Sequence, residues 1–232
     1  MNPILKRIIT ALTVAAVVVC AILYAPLCAI VPAVCVLAAL AVLEYAQLLV
    51  RKLSVRAPGF WLAFLGGSAL LCAGLSALPL IAHDFACSGD VRHGNLMLLY
   101  VLAIVKISDM GGFAFGMSTA RLMKGGNHKL CPSVSPNKSW EGLGGSVFGS
   151  CLVSCCFMPI TGFGWGLSLL LGVTAALVGT FGDLVESKFK RWVGVKDSST
   201  MKFTNGMGGI LDMLDSLLFA PGVIYLLVRL SV

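Results

Sequence analysis

The sequence predicts an all-α polytopic membrane protein with about seven transmembrane helices. Of its 232 residues, 58% are hydrophobic and only 12% are charged, and the mean hydropathy is +0.95. Soluble domains carry about a quarter charged residues, so this composition excludes an ordinary water-soluble protein. A span needs about 20 apolar residues, and the chain has room for several. We expect one membrane domain, 1–232, with N-terminal spans at 5–94 and the functional motifs at 95–232.

Apolar stretches bounded by charges or turn residues mark the predicted spans. Short connections at 25–26 and 162–164 indicate tight turns between antiparallel helices. Three longer connections, at 83–94, 120–142 and 186–209, have room for functional sites. The spans are predicted at 8–24, 28–49, 59–82, 95–119, 143–161, 164–185 and 210–230.

The basic residues give this layout an orientation, because cytoplasmic loops are enriched in Lys and Arg. With the N-terminus in the cytoplasm, 14 of the 17 basic residues face inward. That face would attract anionic lipids and soluble anions. We expect a bacterial-type inner (cell) membrane and cytoplasmic active-site loops, although the asymmetry alone does no more than set topology. The 14 residues are Lys6, Arg7, Arg51, Lys52, Arg56, Arg121, Lys124, Lys129, Lys138, Lys188, Lys190, Arg191, Lys196 and Lys202.

Ionisable groups inside spans are costly, so they tend to pair, line cavities and mark functional sites. Lys106 and Asp109 lie three residues apart on one helical face, which is also the spacing of a purely structural ion pair. The surrounding run SDMGGFAFG favours a site, since its glycines let a backbone or a ligand approach closely. The groups concerned are Glu44, Lys106, Asp109, Asp183, Glu186, Asp212 and Asp215.

One helical stripe at the end of the sixth predicted span carries two carboxylates, a hydroxyl and an ammonium group. The spacing i, i+3, i+4, i+7 puts all four on one face as the helix leaves the membrane. A solvated helix end with salt bridges would show the same pattern. The four residues are Asp183, Glu186, Ser187 and Lys190.

A second carboxylate pair, Asp212 and Asp215, begins the last predicted span just after Gly208 and Gly209. A glycine-rich turn that leads into a helix offers free backbone N–H groups to a phosphate. Carboxylates that converge from two helices can hold a hard divalent cation such as Mg²⁺ and leave coordination sites for substrate phosphates. The residues therefore predict metal-assisted phosphate chemistry on the cytoplasmic face.

The connection 120–142 is basic and punctuated by prolines. Its Ser135, Lys138, Ser139 and Glu141 are candidate ligands for a nucleotide or a lipid headgroup. The same loop could serve only to set the topology.

Three ordered blocks within residues 104–218 resemble the phosphatidate cytidylyltransferases, also called CDP-diacylglycerol synthases. The blocks are SDMGGFAFG, then HKLCPSVSPNKSWEG, then GDLVESKFKRWVGVKDSS followed by MGGILDMLDS. The positions that match the last block are Ser187, Lys190, Arg191, Lys196, Asp197, Gly208, Gly209, Asp212 and Asp215.

The resemblance implies that CTP and phosphatidate give CDP-diacylglycerol and pyrophosphate at a site that uses Mg²⁺, with room for a second, monovalent cation. It implies membrane lipids and CTP as partners, no nucleic acid, and a homodimer as one assembly state. It also implies that Asp183 and Asp212 bind the metal. Ser187, Lys190 and Arg191 would contact phosphates, with Lys196 and Asp197 nearby.

Two departures from the family pattern concern polar groups. Met207 stands where the family usually has His, and Met213 where it usually has Arg. The metal-binding carboxylates remain, but one imidazole and one cation are lost. An inactive homologue is therefore one alternative.

Two other functions would use similar residues. A CTP-dependent lipid kinase would share CTP and the basic cytoplasmic loops, but it would release CDP instead of pyrophosphate. A transporter would also carry intramembrane Asp and Lys. The clustering of charges at one end and the lack of paired broken segments in the two halves disfavour a transporter.

Overall fold

The computed structural model describes residues 16–86, 91–123, 126–195 and 209–231, and this part of the chain is mostly helical. α1 is described from residue 16 to residue 24. The other elements are α2 (Leu27–Lys52), α3 (Pro58–Asp84), α4 (Val91–Leu122), β1 (Lys129–Cys131), β2 (Ser135–Ser139), α5 (Trp140–Cys156), α6 (Met158–Thr161), α7 (Trp165–Val193), α8 (Ile210–Leu214) and α9 (Ala220–Ser231).

Four of these helices, α2, α3, α4 and α7, are long and apolar enough to cross a membrane. They coincide with the predicted spans 28–49, 59–82, 95–119 and 164–185. Between 17% and 39% of the most apolar window of each is buried inside the protein. The remaining apolar surface would lie against lipid, which agrees with the composition.

Two other predicted spans are divided in the structure. Span 143–161 consists of α5 and the short α6, and Pro159 lies in the first turn of α6, where a missing N–H group is tolerated. Span 210–230 consists of α8 and α9, separated by turns at 215–219. We call residues 215–219 the break. Only residues 16–24 of the first predicted span are described.

The connection 120–142 contains two strands, so the expectation of a purely α-helical chain is wrong in this detail. α4 continues to Leu122, and β1 and β2 then pair antiparallel, with Lys129 opposite Ser139. We call Lys129–Ser139 the hairpin. Ser139 ends the hairpin and begins α5, because its hydroxyl accepts a hydrogen bond from Gly142 N–H at 3.0 Å, as an N-cap does.

Glycines allow α4 and α5 to pack closely. A Cβ atom added to Gly111 would lie only 2.6 Å from the carbonyl oxygen of Gly145. Any larger residue at this position would push the two helices apart. α5 also packs against α7, so α4, α5 and α7 meet around the hairpin.

Polar contacts tie α3 to α9 where both helices end. Asp84 accepts hydrogen bonds from the Tyr225 hydroxyl at 2.6 Å and from Arg229 Nη2 at 2.7 Å. One cluster of buried apolar side chains extends from α2 to α9. The last helix is therefore fixed to the rest of the molecule by both apolar and polar contacts.

Candidate active site

A pocket of about 260 Å³ lies between α4, the hairpin, α5 and α7. Drug-sized ligand pockets begin at roughly 300 Å³, so this pocket suits the phosphate-bearing end of a substrate better than a whole nucleotide. Candidate ligands from the sequence line it: Asp109, Ser135, Lys138, Ser139 and Asp183.

Lys138 joins the hairpin to α7 at the wall of this pocket. Its Nζ lies 2.6 Å from Asp183 Oδ2 and 3.3 Å from the carbonyl oxygen of Thr180. Both side chains of the ion pair are largely covered, with exposed fractions of 24% for Lys138 and 19% for Asp183. The Coulomb attraction between two charges that are partly withdrawn from water is stronger than between two charges on the surface. The connection 120–142 thus contributes a cation directly to the site.

Two carboxylates, those of Asp109 and Asp183, line this pocket, and that of Asp215 lies near them. We call these three residues the carboxylate cluster. They lie close enough for their charges to repel one another. Asp183 Oδ1 is buried and has no hydrogen-bond partner among the described residues. Because a buried charged oxygen without a partner is costly, this atom is suited to a cation.

Lys190 is the centre of a second cluster of charged side chains, and its own side chain is 12% exposed. Its Nζ lies 2.8 Å from Glu186 Oε2, one turn earlier on α7, and 2.5 Å from Asp212 Oδ1. The N–H group of Gly209 donates to Asp212 Oδ2 at 2.9 Å. Gly209 and Asp212 therefore form a closed turn at the start of α8, and Lys190 connects this turn to α7.

The predicted metal ligands Asp183 and Asp212 belong to these two different groups. Asp183 contacts Lys138 and lies within reach of the charges of Asp109 and Asp215, whereas Asp212 contacts Lys190. In the described ranges, no three Asp, Glu, His or Cys side chains are arranged to hold a metal ion by themselves. A metal ion here would need substrate oxygens to complete its coordination.

Other predicted site residues lie further from the pocket or outside the described part of the chain. Ser187 is half-buried and Arg191 is exposed on the last turns of α7. Lys196, Asp197 and Gly208 fall outside the described residues, as does Met207.

The hairpin is held by a contact between His128 and Glu141. Glu141 Oε1 lies 2.7 Å from His128 Nδ1 and accepts from its backbone N–H at 3.1 Å. These contacts lower the pKa of Glu141 to about 2, the His128 side chain being the main cause. The carboxylate is thus ionised at neutral pH and fixes the hairpin to the start of α5.

Glu44 is a buried residue that the sequence marked only as an ionisable group within a span. Its side chain is 1% exposed, and Oε2 accepts a hydrogen bond from Leu211 N–H at 2.8 Å. Leu211 lies next to Asp212, so α2 positions the start of α8. No local pattern links residues 167 positions apart, and only the presence of a carboxylate in an apolar stretch signalled it.

Comparisons with known proteins show which family this chain resembles. The model of the cytidylyltransferase family matches residues 65–231. Phosphatidate cytidylyltransferase of Staphylococcus aureus (strain COL) is 44% identical over 124 residues, which cover 53% of this chain and 45% of that protein. The enzyme of the same name from Haemophilus influenzae is 38% identical over 139 residues, covering 55% and 44%.

The matched region contains the pocket, the carboxylate cluster and the Lys190 contacts, while Glu44 precedes it. The chain spans less than half the length of these curated relatives. Because the family model matches well over half of the chain, this protein is a member of the cytidylyltransferase family.

Proposed function

We propose that this chain is a phosphatidate cytidylyltransferase, which transfers the cytidylyl group of CTP to phosphatidate. The observation that carries the proposal is the pocket in which Lys138 pairs with Asp183 beside two further carboxylates. Relatives with this name are 38–44% identical over the segments that they share with the chain. The pocket offers the ammonium group of Lys138 for phosphate oxygens and, among the described residues, an unpartnered oxygen of Asp183 for a metal ion.

The reaction suits these groups because a phosphate monoester is already largely ionised at neutral pH and needs no general base. A phosphatidate oxygen forms a bond to the α-phosphorus of CTP, and the bond from that phosphorus to the bridging oxygen of pyrophosphate breaks. Negative charge builds up on the phosphate oxygens. Lys138 and Lys190 would stabilise it, so catalysis rests on positioning and charge.

Mg²⁺ fits the chain as a cofactor, and we propose that Asp183 and Asp212 hold it. Asp183 offers an oxygen without a partner among the described residues, whereas Asp212 would exchange its contact with Lys190 for the metal. Mg²⁺ is commonly held by one or two carboxylates plus substrate phosphates. When bound, it would offset charge on the phosphates of the nucleotide.

We further propose that the site faces the cytoplasm of a cell with a bacterial-type inner membrane and that the chain has seven spans. The distribution of basic residues supports this orientation. The contact between Lys138 and Asp183 supports a common side for the connection 120–142 and the end of α7, because it brings them to the same end of the bundle. CTP is a soluble anion, and a basic face is suited to attract it.

Product analysis tests the function directly. The purified protein in lipid vesicles should incorporate label from α-³²P-CTP into lipid and release pyrophosphate in equal amount, only with a divalent cation. Release of CDP with label transfer only from γ-³²P-CTP would identify a lipid kinase instead. Absence of any CTP turnover across lipids and metals would identify an inactive homologue.

A further inference from the structure

Lys106 on α4 has three polar neighbours at the edge of the carboxylate cluster. Its Nζ donates to the carbonyl oxygen of Met213 at 2.9 Å and to the Ser216 hydroxyl at 3.2 Å, and it lies 3.8 Å from Asp109 Oδ2. The sequence offered an intrahelical ion pair with Asp109 as one interpretation. The two contacts with residues 107 and 110 positions away show that Lys106 does more than pair within its helix.

The contact with Met213 provides a hydrogen-bond donor for a backbone carbonyl oxygen next to the break. The N–H group of Leu217 donates to Leu214 at 2.9 Å, and the carbonyl oxygen of Met213 receives the ammonium group of Lys106 instead. A backbone oxygen in an apolar region needs such a donor. Lys106 therefore fixes the point where α8 ends.

The second contact links Lys106 to the cluster through a hydroxyl. Ser216 is fully buried and donates to Asp109 Oδ2 at 2.7 Å, while its backbone N–H donates to Asp215 Oδ1 at 2.6 Å. The charge of Lys106 also acts on both Asp109 and Asp215. Two ammonium groups, those of Lys106 and Lys138, thus face three carboxylates.

This balance matters because the cluster has to accept ligands of opposite sign. Three carboxylates alone would attract a divalent cation but repel a nucleotide with several negative charges. Met213 lies near the cluster but supplies no positive charge. Its position is 51% exposed, so a longer charged side chain would have room there. Lys106 reaches the same place from another helix.

We propose that Lys106 is a positioning residue of the reaction: it holds the break in place and offsets the charge of the carboxylate cluster, so that the nucleotide can bind. It acts through Asp109, Asp215 and Ser216 and need not touch the substrate. The identity of the nucleotide as CTP rests on the proposed function.

The experiment compares Lys106→Met, Lys106→Arg and the double variant Lys106→Met with Met213→Arg in the full-length protein. Mn²⁺ binding without nucleotide is followed by electron paramagnetic resonance, and CTP binding is measured separately. Lys106→Met should weaken CTP binding by about tenfold or more, while Mn²⁺ binds as tightly or more tightly, because the cluster becomes more negative. Lys106→Arg should stay within about threefold of wild type. The double variant should regain part of the CTP affinity. The backbone of residue 213 lies next to the Lys106 ammonium group in the wild type, so an arginine there places a positive charge in the same region.

Lys52→Met is the matched control, because Lys52 is exposed at the end of α2 and its loss removes one positive charge outside the site. It should leave both affinities unchanged. Unchanged CTP affinity in Lys106→Met would overturn the proposal. The proposal would also be overturned if Lys106→Met weakened Mn²⁺ and CTP binding equally and lowered the melting temperature, because that result indicates a purely structural role for Lys106. Both binding measurements work without turnover, so failure of cytidylyl transfer with these affinities intact would contradict only the proposed function.

Discussion

Lys138 is the residue whose position depends most directly on the hairpin. It contacts α7 from a strand of five residues, so its ammonium group reaches Asp183 without belonging to a packed helix. Its removal should leave the helices folded. The effect of a substitution at 138 should therefore report on chemistry more than on stability.

We expect Lys138→Met to lower turnover by about 100-fold or more, because one cation at developing phosphate charge contributes that much in comparable sites. Lys129→Met is the control, since Lys129 is an exposed lysine of the same hairpin. It should keep turnover within about twofold. Steady-state assays of both variants test this prediction. Equal activities would show that Lys138 does not take part in the reaction.

The proposed metal ligands can be compared with a close acidic neighbour. Asp183→Asn and Asp212→Asn should each cut turnover by several orders of magnitude. If both carboxylates serve one ion, the double variant should lose little more than either single variant. Asp215→Asn is the informative comparison, because the charge of Asp183 acts on Asp215. Turnover is measured against Mg²⁺ concentration.

Losses that multiply for Asp183 and Asp212 would contradict a shared ion. If the losses of Asp183 and Asp215 fail to multiply instead, the second ligand is Asp215.

Among the elements, the hairpin depends on a contact at its base. Glu141 accepts from both the ring and the backbone of His128. Glu141→Gln removes the charge while keeping the size of the side chain, so the contact with His128 should weaken. We expect faster hydrogen exchange of the hairpin amides and a higher KM for CTP, with exchange in α3 unchanged as the internal control. Unchanged exchange in the hairpin would show that the strands hold without this contact.

The start of α8 depends on an acceptor from α2. Glu44→Leu would leave the buried N–H group of Leu211 without that acceptor, which should lower the free energy of unfolding by about 1–3 kcal/mol. Glu44→Gln keeps an oxygen at this place and should cost less. Thermal unfolding in detergent compares the two variants, with Leu43→Ala on the exposed face of α2 as control. A leucine variant as stable as the glutamine variant would show that the hydrogen bond contributes nothing.

At the scale of the whole molecule, the site requires two connections to lie on one side of the membrane. Reporter fusions within 120–142 and 186–209 should both be cytoplasmic, with the C-terminus outside. Fusion at 83–94 should report the outer side and is the control for correct insertion. If the first two fusions were found on opposite sides, the proposed orientation would be wrong.

The long helices could be predicted from the sequence because a span of apolar residues is a local property. α3, for example, runs from Pro58 to Asp84, close to the predicted 59–82. Proline fits the first turn of a helix and charge ends an apolar stretch. Two of the residues that line the pocket could also be anticipated, since Asp109 and Asp183 are carboxylates within apolar stretches.

The features that could not be predicted from the sequence depend on contacts between distant residues. The hairpin strand SPNKS contains proline and asparagine, which strands usually avoid, and its pairing is set by its neighbours. The break begins with Asp215 and Ser216 and continues into the apolar run LLFAPG, whose leucines favour a longer helix. Nothing local shows that Asp183 lies beside Asp215 and Asp212 beside Lys190. The grouping of carboxylates therefore had to come from the structure.

The hydrogen bond from Leu211 to Glu44 also bears on how this chain can be recombined with its relatives. The family model begins at residue 65, so residue 65 is an obvious crossover point for a chimera. A foreign N-terminal segment joined there would bring its own second helix, with its own residue at position 44 facing α8. Chimeras whose donor supplies an aliphatic side chain at that position should be less stable, by about 1–3 kcal/mol, than those whose donor supplies an acceptor. The segment that sequence comparison recognises and the segment that folds together are therefore different pieces of this protein.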